Sequence, residues 1–106
     1  MNRAQYLLTK VAEEASEVAE RALKAAQFGL DDVQAEVNKG DNTIRLLGEY
    51  LDLQAVIEVL IVEGMLKLPE NYGVYAAAHL CIKKEKIEKY YQYALLKGTV
   101  VSSKND

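Results

Sequence analysis

The chain has 106 residues and a formal net charge of −3 at pH 7, a size that suits one domain with one core. Half of the residues are hydrophobic and 27% are charged, which is the ordinary mix of a soluble globular protein, and the lack of net basic charge argues against a nucleic-acid partner. The single cysteine, Cys81, excludes an internal disulfide, and no basic segment followed by an apolar stretch opens the chain. We therefore expect no signal peptide and a cytoplasmic location.

Apolar residues recur at three- and four-residue steps through the first segment and predict a helix from about Asn2 to Phe28. Gly29 is expected to end this helix, and Asp31 and Asp32 are expected to cap a short second turn that runs through Val37. The composition of residues 38–42 predicts a loop.

A second long helix is predicted from about Thr43 to Leu66, with Asp41 or Asn42 as its cap. Pro69 and Gly73 interrupt the pattern, so residues 67–73 are predicted to connect it to a third helix at 74–96, ending before Gly98. No alternating segment predicts a sheet. The sequence thus predicts an all-α protein of three or four helices, with a single domain at residues 1–98 and a flexible tail at 99–106.

The predicted second helix is apolar nearly all the way round, which is typical of a helix buried on most sides. Its most apolar window, Tyr50 to Leu66, contains Asp52, Glu58 and Glu63, and these charges make it a poor membrane span, so no membrane partner is expected. Only two other long helices are available to cover it. We therefore predict an antiparallel helical bundle whose four-helix core is completed by a second subunit, in a homodimer or homotetramer.

Two pairs of carboxylates lie on these first two long helices. Glu14 and Glu17 are three residues apart, as are Glu49 and Asp52, so the members of each pair lie on one side of their helix. If the helices pack antiparallel, the four side chains surround one point. Such an all-oxygen site suits Mg²⁺ or Mn²⁺ better than zinc. The alternative is that these residues belong to ordinary solvated helix faces.

The run Glu13-Glu14-Ala15-Ser16-Glu17, followed by Glu49-Tyr50-Leu51-Asp52, resembles the EExxE…ExxD signature of the MazG-like all-α nucleoside triphosphate pyrophosphatases. The resemblance covers the first helix through the second, and the 31 residues between Glu17 and Glu49 suit that family's helix–loop–helix spacing. It implies Mg²⁺-dependent hydrolysis of a nucleoside triphosphate to the monophosphate and pyrophosphate.

The same resemblance implies that Glu14, Glu17, Glu49 and Asp52 are metal ligands. It gives Glu13 a supporting role, in which it orients the attacking water or holds a ligand in place. On the third helix, lysines could contact phosphate oxygens and a tyrosine could stack on the base. The leading candidates for these substrate contacts are Lys83, Lys86 and Tyr90. Interleaved glutamates allow the alternative of a solvated helix with internal ion pairs.

Two other functions remain open at this point. One is a phosphoribosyl-ATP pyrophosphohydrolase, which shares a related helical fold and acidic site. The other is a non-enzymatic oligomerisation module, in which the carboxylates form ion pairs with Arg21, Arg45 or the lysines of the third helix. The sole histidine, His79, has no Glu-x-x-His partner, and we expect a structural role for it. We expect Cys81 to act as a small apolar residue.

Overall fold

A computed structural model describes residues 1–102, and within that range the chain is helical and contains no strand. It forms three α-helices, α1 (Arg3–Phe28), α2 (Asn42–Val62) and α3 (Tyr72–Lys97), together with a 3-10 turn at Val37–Lys39. The all-α prediction is confirmed. The chain divides into two compact units, Met1–Lys67 and a second unit that begins at Leu68.

Both ends of α1 are set by local hydrogen bonds. At the start, the Gln5 backbone N–H donates to the Asn2 side chain, and the Asn2 backbone N–H donates to the Gln5 side chain, a reciprocal cap that satisfies two free amides. At the end, Gly29 adopts a φ of 102° and its N–H donates to the Ala25 carbonyl. Glycine reaches this backbone region without steric cost, which explains why the helix stops here as predicted.

The start of α2 agrees with the sequence and its end does not. The Asp41 side chain caps the helix by accepting the Ile44 backbone N–H at 3.1 Å. Asp41 is one of the two residues predicted as the cap. The predicted end at Leu66 is wrong, because α2 ends at Val62. Gly64 there adopts a φ of 76°, and the Leu60 carbonyl accepts the N–H groups of Met65 and Leu66. A left-handed glycine closes the helix despite the apolar residues that follow.

The connection from α1 to α2 is tightly tied to both helices. The predicted turn after Asp31 and Asp32 forms in part: the Asp32 carboxylate accepts the backbone N–H of Gln34, and the Val33 carbonyl accepts the N–H of Glu36, but no helix forms before Val37. The 3-10 turn, Val37–Lys39, begins at the last residue of that predicted turn and extends into the segment predicted as loop. The Leu30 carbonyl accepts the N–H of Thr43, and the Asn42 side chain donates to the Gly29 carbonyl. These bonds bring the end of α1 against the start of α2.

The two helices of the first unit pack antiparallel. Arg3 at the start of α1 forms a two-pronged ion pair with Glu63, just beyond α2, with both N···O distances at 2.6 Å. At the opposite end, Arg21 donates to Asn42 at 3.2 Å. The buried residues lie between these ends or close to them: Leu7, Arg21, Ala25, Asn42 and Leu60.

The α1–α2 pair leaves much of α2 uncovered. Its two buried residues are Asn42 and Leu60, whereas the following apolar side chains are more than half exposed: Ile44, Leu47, Tyr50, Leu51 and Val62. The burial expected from the apolar sequence is thus not achieved along most of this helix. Two helices alone can cover only one stripe of each other.

The second unit contains α3, which begins two residues earlier than predicted because Gly73 lies within its first turn rather than before it. Asn71, immediately before the helix, has a φ of 55°, a region that asparagine tolerates. Gly98 closes the helix with a φ of 76°, as the sequence predicts. No residue of α3 is buried. Of the predicted tail, residues 103–106 lie outside the described residues.

Among residues 1–102, no helix combines the length and the apolarity that crossing a membrane requires.

Candidate metal centre

Three glutamates from the two helices of the first unit meet at the middle of the pair. Glu14 and Glu17 come from α1 and Glu49 comes from α2, and one carboxylate oxygen of each lies within 4.8 Å of the others. The i, i+3 spacing of Glu14 and Glu17 places both on the side of α1 that faces α2, and the antiparallel register brings Glu49 opposite them. Glu14 and Glu49 are half-buried, and Glu17 is exposed.

The electrostatics of the cluster are unfavourable for the charged carboxylates. Burial raises the pKa of Glu14, and the negative charges of Glu17 and Asp52 raise it further. Burial also raises the pKa of Glu49, and the close approach of Glu17 adds to this effect. Like charges held together in a partly desolvated site disfavour ionisation. The helix pair therefore keeps an arrangement that weakens its own stability at neutral pH.

Within the first unit, Met1–Lys67, no lysine or arginine relieves this repulsion by an ion pair with Glu14, Glu17 or Glu49. The nearby cations are engaged elsewhere: Lys10 pairs with Glu13 at 2.9 Å, Lys24 pairs with Glu20, and Arg45 pairs with Glu36. In addition, one buried oxygen each of Glu14 and Glu49 lacks a hydrogen-bond partner. Buried carboxylate oxygens without partners are uncommon and call for a ligand.

The donor set fits a hard divalent cation. Mg²⁺ binds oxygen ligands at about 2.0–2.1 Å, so ligands on opposite sides of the ion lie about 4 Å apart. The three oxygens of the cluster lie within 4.8 Å of one another, a separation on the scale of oxygens that surround one such ion. The absence of nitrogen and sulfur donors from the cluster favours Mg²⁺ or Mn²⁺ over zinc.

The other two predicted carboxylates lie at the edge of the cluster. Asp52 is exposed on α2 and close enough to raise the pKa of both Glu14 and Glu49, but it is not one of the three that converge. Glu13 is exposed and accepts the Lys10 ammonium group. The structure thus brings together Glu14, Glu17 and Glu49, with Asp52 beside them and Glu13 turned to a lysine.

The residues predicted to contact substrate lie in the second unit. Lys83, Lys86 and Tyr90 are exposed on α3, and a shallow groove on that helix is lined by His79, Ile82 and the two lysines. His79 and Cys81 are also exposed. The His79 ring lies 5.9 Å from that of Tyr75 between centroids, and the Cys81 sulfur lies 3.9 Å from a Glu85 oxygen.

Sequence reasoning missed a polar group one turn away from the three glutamates. Arg21 and Asn42 are the buried polar residues of the first unit, and Gln34 from the connecting loop completes the contact by accepting from Arg21 at 2.9 Å. The sequence predicts Arg21 and Arg45 only as alternative ion-pair partners of the carboxylates. A signal was available, because Arg21 follows Glu17, and Arg45 precedes Glu49, by one helical turn.

Comparison with protein-family models, with curated proteins and with solved structures finds no match to this chain.

Proposed function

We propose that the protein is a Mg²⁺-dependent pyrophosphohydrolase that converts a nucleoside triphosphate or deoxynucleoside triphosphate to the monophosphate and pyrophosphate. The observation that carries the proposal is the cluster of Glu14, Glu17 and Glu49, with unpartnered buried oxygens on Glu14 and Glu49 and no ion pair to a cation of the first unit. The resemblance of these residues and their neighbours to the MazG-like signature supports the reaction class. A role in removing non-standard or surplus nucleotides is consistent with such an enzyme.

Each carboxylate has a proposed task in this reaction. Glu14, Glu17 and Glu49 would hold Mg²⁺ (or Mn²⁺), with Asp52 completing the set of ligands. The bound cation would supply neutralisation of the triphosphate and a lower proton cost for the attacking water. That water would attack the α-phosphorus in line, the α–β bridging P–O bond would break, and pyrophosphate would leave. A carboxylate not fully engaged by metal would accept the water's proton.

The remaining proposed contacts are peripheral to this chemistry. Glu13 would orient the water or a metal ligand. Lys83 and Lys86 would contact phosphate oxygens and Tyr90 would stack on the base, which together would provide substrate binding from the third helix.

The two alternatives differ from this proposal in measurable ways. A phosphoribosyl-ATP pyrophosphohydrolase would use the same acidic site on a different nucleotide. A non-enzymatic module would need cations to balance the carboxylates, but Arg45 is paired with Glu36, and Arg21 is bonded to Gln34 and Asn42. The contacts of these two arginines favour the metal-binding hypothesis over the module.

The decisive experiment measures pyrophosphate release from a panel of canonical and modified nucleotides, in Mg²⁺ and in EDTA. The test variant is Glu49→Gln, and the matched control is Glu58→Gln. Glu58 lies on the same helix, is exposed, and accepts a hydrogen bond from Gln54. We expect Mg²⁺-dependent release that falls at least about a hundredfold in Glu49→Gln, because even outer partners of a metal site are worth tenfold to a hundredfold. Glu58→Gln should retain the activity.

Release in EDTA, or equal loss in the two variants, would contradict the proposed mechanism. Phosphoribosyl-ATP is the next substrate to test if no nucleotide of the panel is cleaved. Failure with that substrate as well, in a folded protein whose thermal stability is indifferent to Mg²⁺, would favour the oligomerisation module.

We also propose that a second copy of the chain covers the apolar side of α2 and completes a four-helix bundle, as a homodimer or homotetramer. The support is the row of exposed apolar residues on α2 and a 26-residue α3 without a buried residue. Exposed apolar surface of this extent is typical of an interface. Sedimentation velocity is expected to give two or four times the monomer mass, and a monomer at micromolar concentration would contradict the assembly.

A further inference from the structure

Two arginines lie one helical turn beyond the acidic cluster, and neither uses all of its donors. Arg21 is only 9% exposed, and its buried Nε has no hydrogen-bond partner. The Arg45 side chain is 16% exposed, and its buried Nη1 also lacks a partner. A guanidinium offers five N–H donors in a fixed planar fork, so buried donors without acceptors carry a desolvation cost that a ligand can remove.

The register of the helix pair places these arginines on facing turns. Arg21 follows Glu17 on α1 by four residues, and Arg45 precedes Glu49 on α2 by four residues. Because the helices are antiparallel, both positions lie toward the same end of the acidic cluster. Asn42, one turn before Arg45 on α2, accepts a hydrogen bond from Arg21, which confirms that the two turns are adjacent.

The contacts that these arginines do make come largely from one short stretch of the connecting loop. Gln34 accepts from Arg21 Nη1 at 2.9 Å, and a carboxylate oxygen of Glu36 lies 3.0 Å from Arg45 Nη2. Gln34 and the next residue, Ala35, both adopt positive φ, at 49° and 64°, a region that non-glycine residues rarely enter. The loop thus adopts an uncommon conformation that sets one carbonyl oxygen and one carboxylate on the two guanidinium groups.

The oxygens of Gln34 and Glu36 lie where the oxygens of a bound anion would accept hydrogen bonds from the two guanidinium groups. Paired guanidinium groups favour phosphate oxygens because the fork matches two oxygens at once. A neighbouring metal site and an arginine pair would together satisfy the two needs of a polyphosphate, namely charge neutralisation and directional hydrogen bonds.

We propose that Arg21 and Arg45 form a binding site for the phosphate groups of a polyphosphate, and that Glu36 occupies Arg45 and competes with that ligand. The inference rests on the proposed function in taking the polyphosphate to be that of the substrate or the pyrophosphate product. The site itself does not require hydrolysis. Displacement of Glu36 frees Arg45, while Gln34 and Asn42 continue to hold Arg21 in place.

The test measures binding of inorganic pyrophosphate by titration calorimetry in EDTA at low ionic strength, where neither metal binding nor turnover contributes. Glu36→Gln is expected to tighten binding about fivefold, because it removes a competing partly exposed ion pair. Arg45→Gln is expected to weaken binding at least about tenfold, and Arg45→Lys to lie between, because lysine keeps the charge and loses the fork.

Glu63→Gln is the matched control, since it removes the carboxylate partner of another arginine, Arg3, with the same change in net charge. It should leave pyrophosphate binding close to that of the unaltered protein. An equal gain in Glu36→Gln and Glu63→Gln would overturn the proposal in favour of a general charge effect. No binding by Glu36→Gln, with the fold verified by circular dichroism, would overturn it too. Because the assay contains no metal, loss of nucleotide hydrolysis alone would leave its outcome unchanged.

Discussion

Two neighbouring turns of the α1–α2 pair carry groups of opposite charge, and these groups differ in whether they have polar partners. At one turn, called the acidic turn below, Glu14, Glu17 and Glu49 converge without an ion-pair partner in the first unit. At the next, Arg21 and Arg45 are held by Gln34, Asn42 and Glu36, and each keeps an unpartnered buried donor. The carboxylates and the arginines are only four residues apart along each helix, and this is the spacing at which opposite charges commonly pair.

The carboxylates and the arginines therefore do not form the ion pairs that would stabilise the two turns best. An ion pair between Glu17 and Arg21, or between Arg45 and Glu49, would relieve both turns at once. The loop instead engages the arginines and leaves the carboxylates to repel each other, which raises the pKa of Glu14 and Glu49. Residues that violate favourable electrostatics in a defined geometry are characteristic of functional sites.

The largest effect on stability is expected from Asn42→Ala at the turn that carries Arg21 and Arg45, called the arginine-rich turn below. Asn42 has no exposed surface, accepts from Arg21 and donates to the Gly29 carbonyl. Its removal leaves buried polar groups unsatisfied, which should lower the free energy of unfolding by about 2 kcal/mol and the melting temperature by about 10 °C. Urea denaturation and calorimetry measure both quantities.

Asn38→Ala is the control for that substitution, because Asn38 is exposed in the same connection. It should change the free energy of unfolding little. If both substitutions have the same effect, the buried polar contacts do not stabilise this turn, and the contrast between the two turns loses half of its basis.

The substitution Glu49→Gln should act in the opposite direction at the acidic turn. Burial and the approach of Glu17 raise the folded-state pKa of Glu49, so its protonated form favours the folded state. Its contribution is fully present below the ordinary pKa and is lost as pH rises through the raised folded-state pKa. In EDTA, the variant should therefore be more stable than the unaltered protein near pH 7, by a few degrees in melting temperature, and less sensitive to pH.

Mg²⁺ should reverse the sign of this difference, since metal binding stabilises only the protein with the complete carboxylate set. Urea denaturation between about pH 4 and pH 8, with and without Mg²⁺, measures the effect. Glu58→Gln serves again as the control on the same helix. If Glu49→Gln were destabilising in EDTA, the acidic turn would not be an unfavourable arrangement, and the comparison with the arginine-rich turn would fail.

The sequence predicted the features that depend on local signals. Gly29, Asp41 and Gly98 mark helix ends because their backbone or side chain acts within one turn. Helical periodicity in two antiparallel helices predicts the convergence of Glu14, Glu17 and Glu49, and it also predicts Asp52, which lies beside the three rather than among them. The end of α2 at Val62 was missed because apolar residues continue past Gly64. The contacts of Gln34 and Glu36 were beyond prediction, because they depend on a loop with positive φ at two residues other than glycine.

The smallest effect is expected from Ala35→Gly in that loop. The substitution tests whether the loop keeps its contacts with Arg21 and Arg45 at the cost of backbone strain. Ala35 has a φ of 64°, and the left-handed region costs an ordinary residue about 1–2 kcal/mol. Glycine removes this cost but loses about 0.5–1 kcal/mol more chain entropy on folding. The unfolding free energy in urea should therefore rise by about 0.5 kcal/mol.

Asn71→Gly is the control, because asparagine already tolerates its φ of 55°. An increase in Ala35→Gly alone would mean that the loop accepts strain to keep Gln34 and Glu36 on the arginines, whereas a decrease in both would mean that it does not.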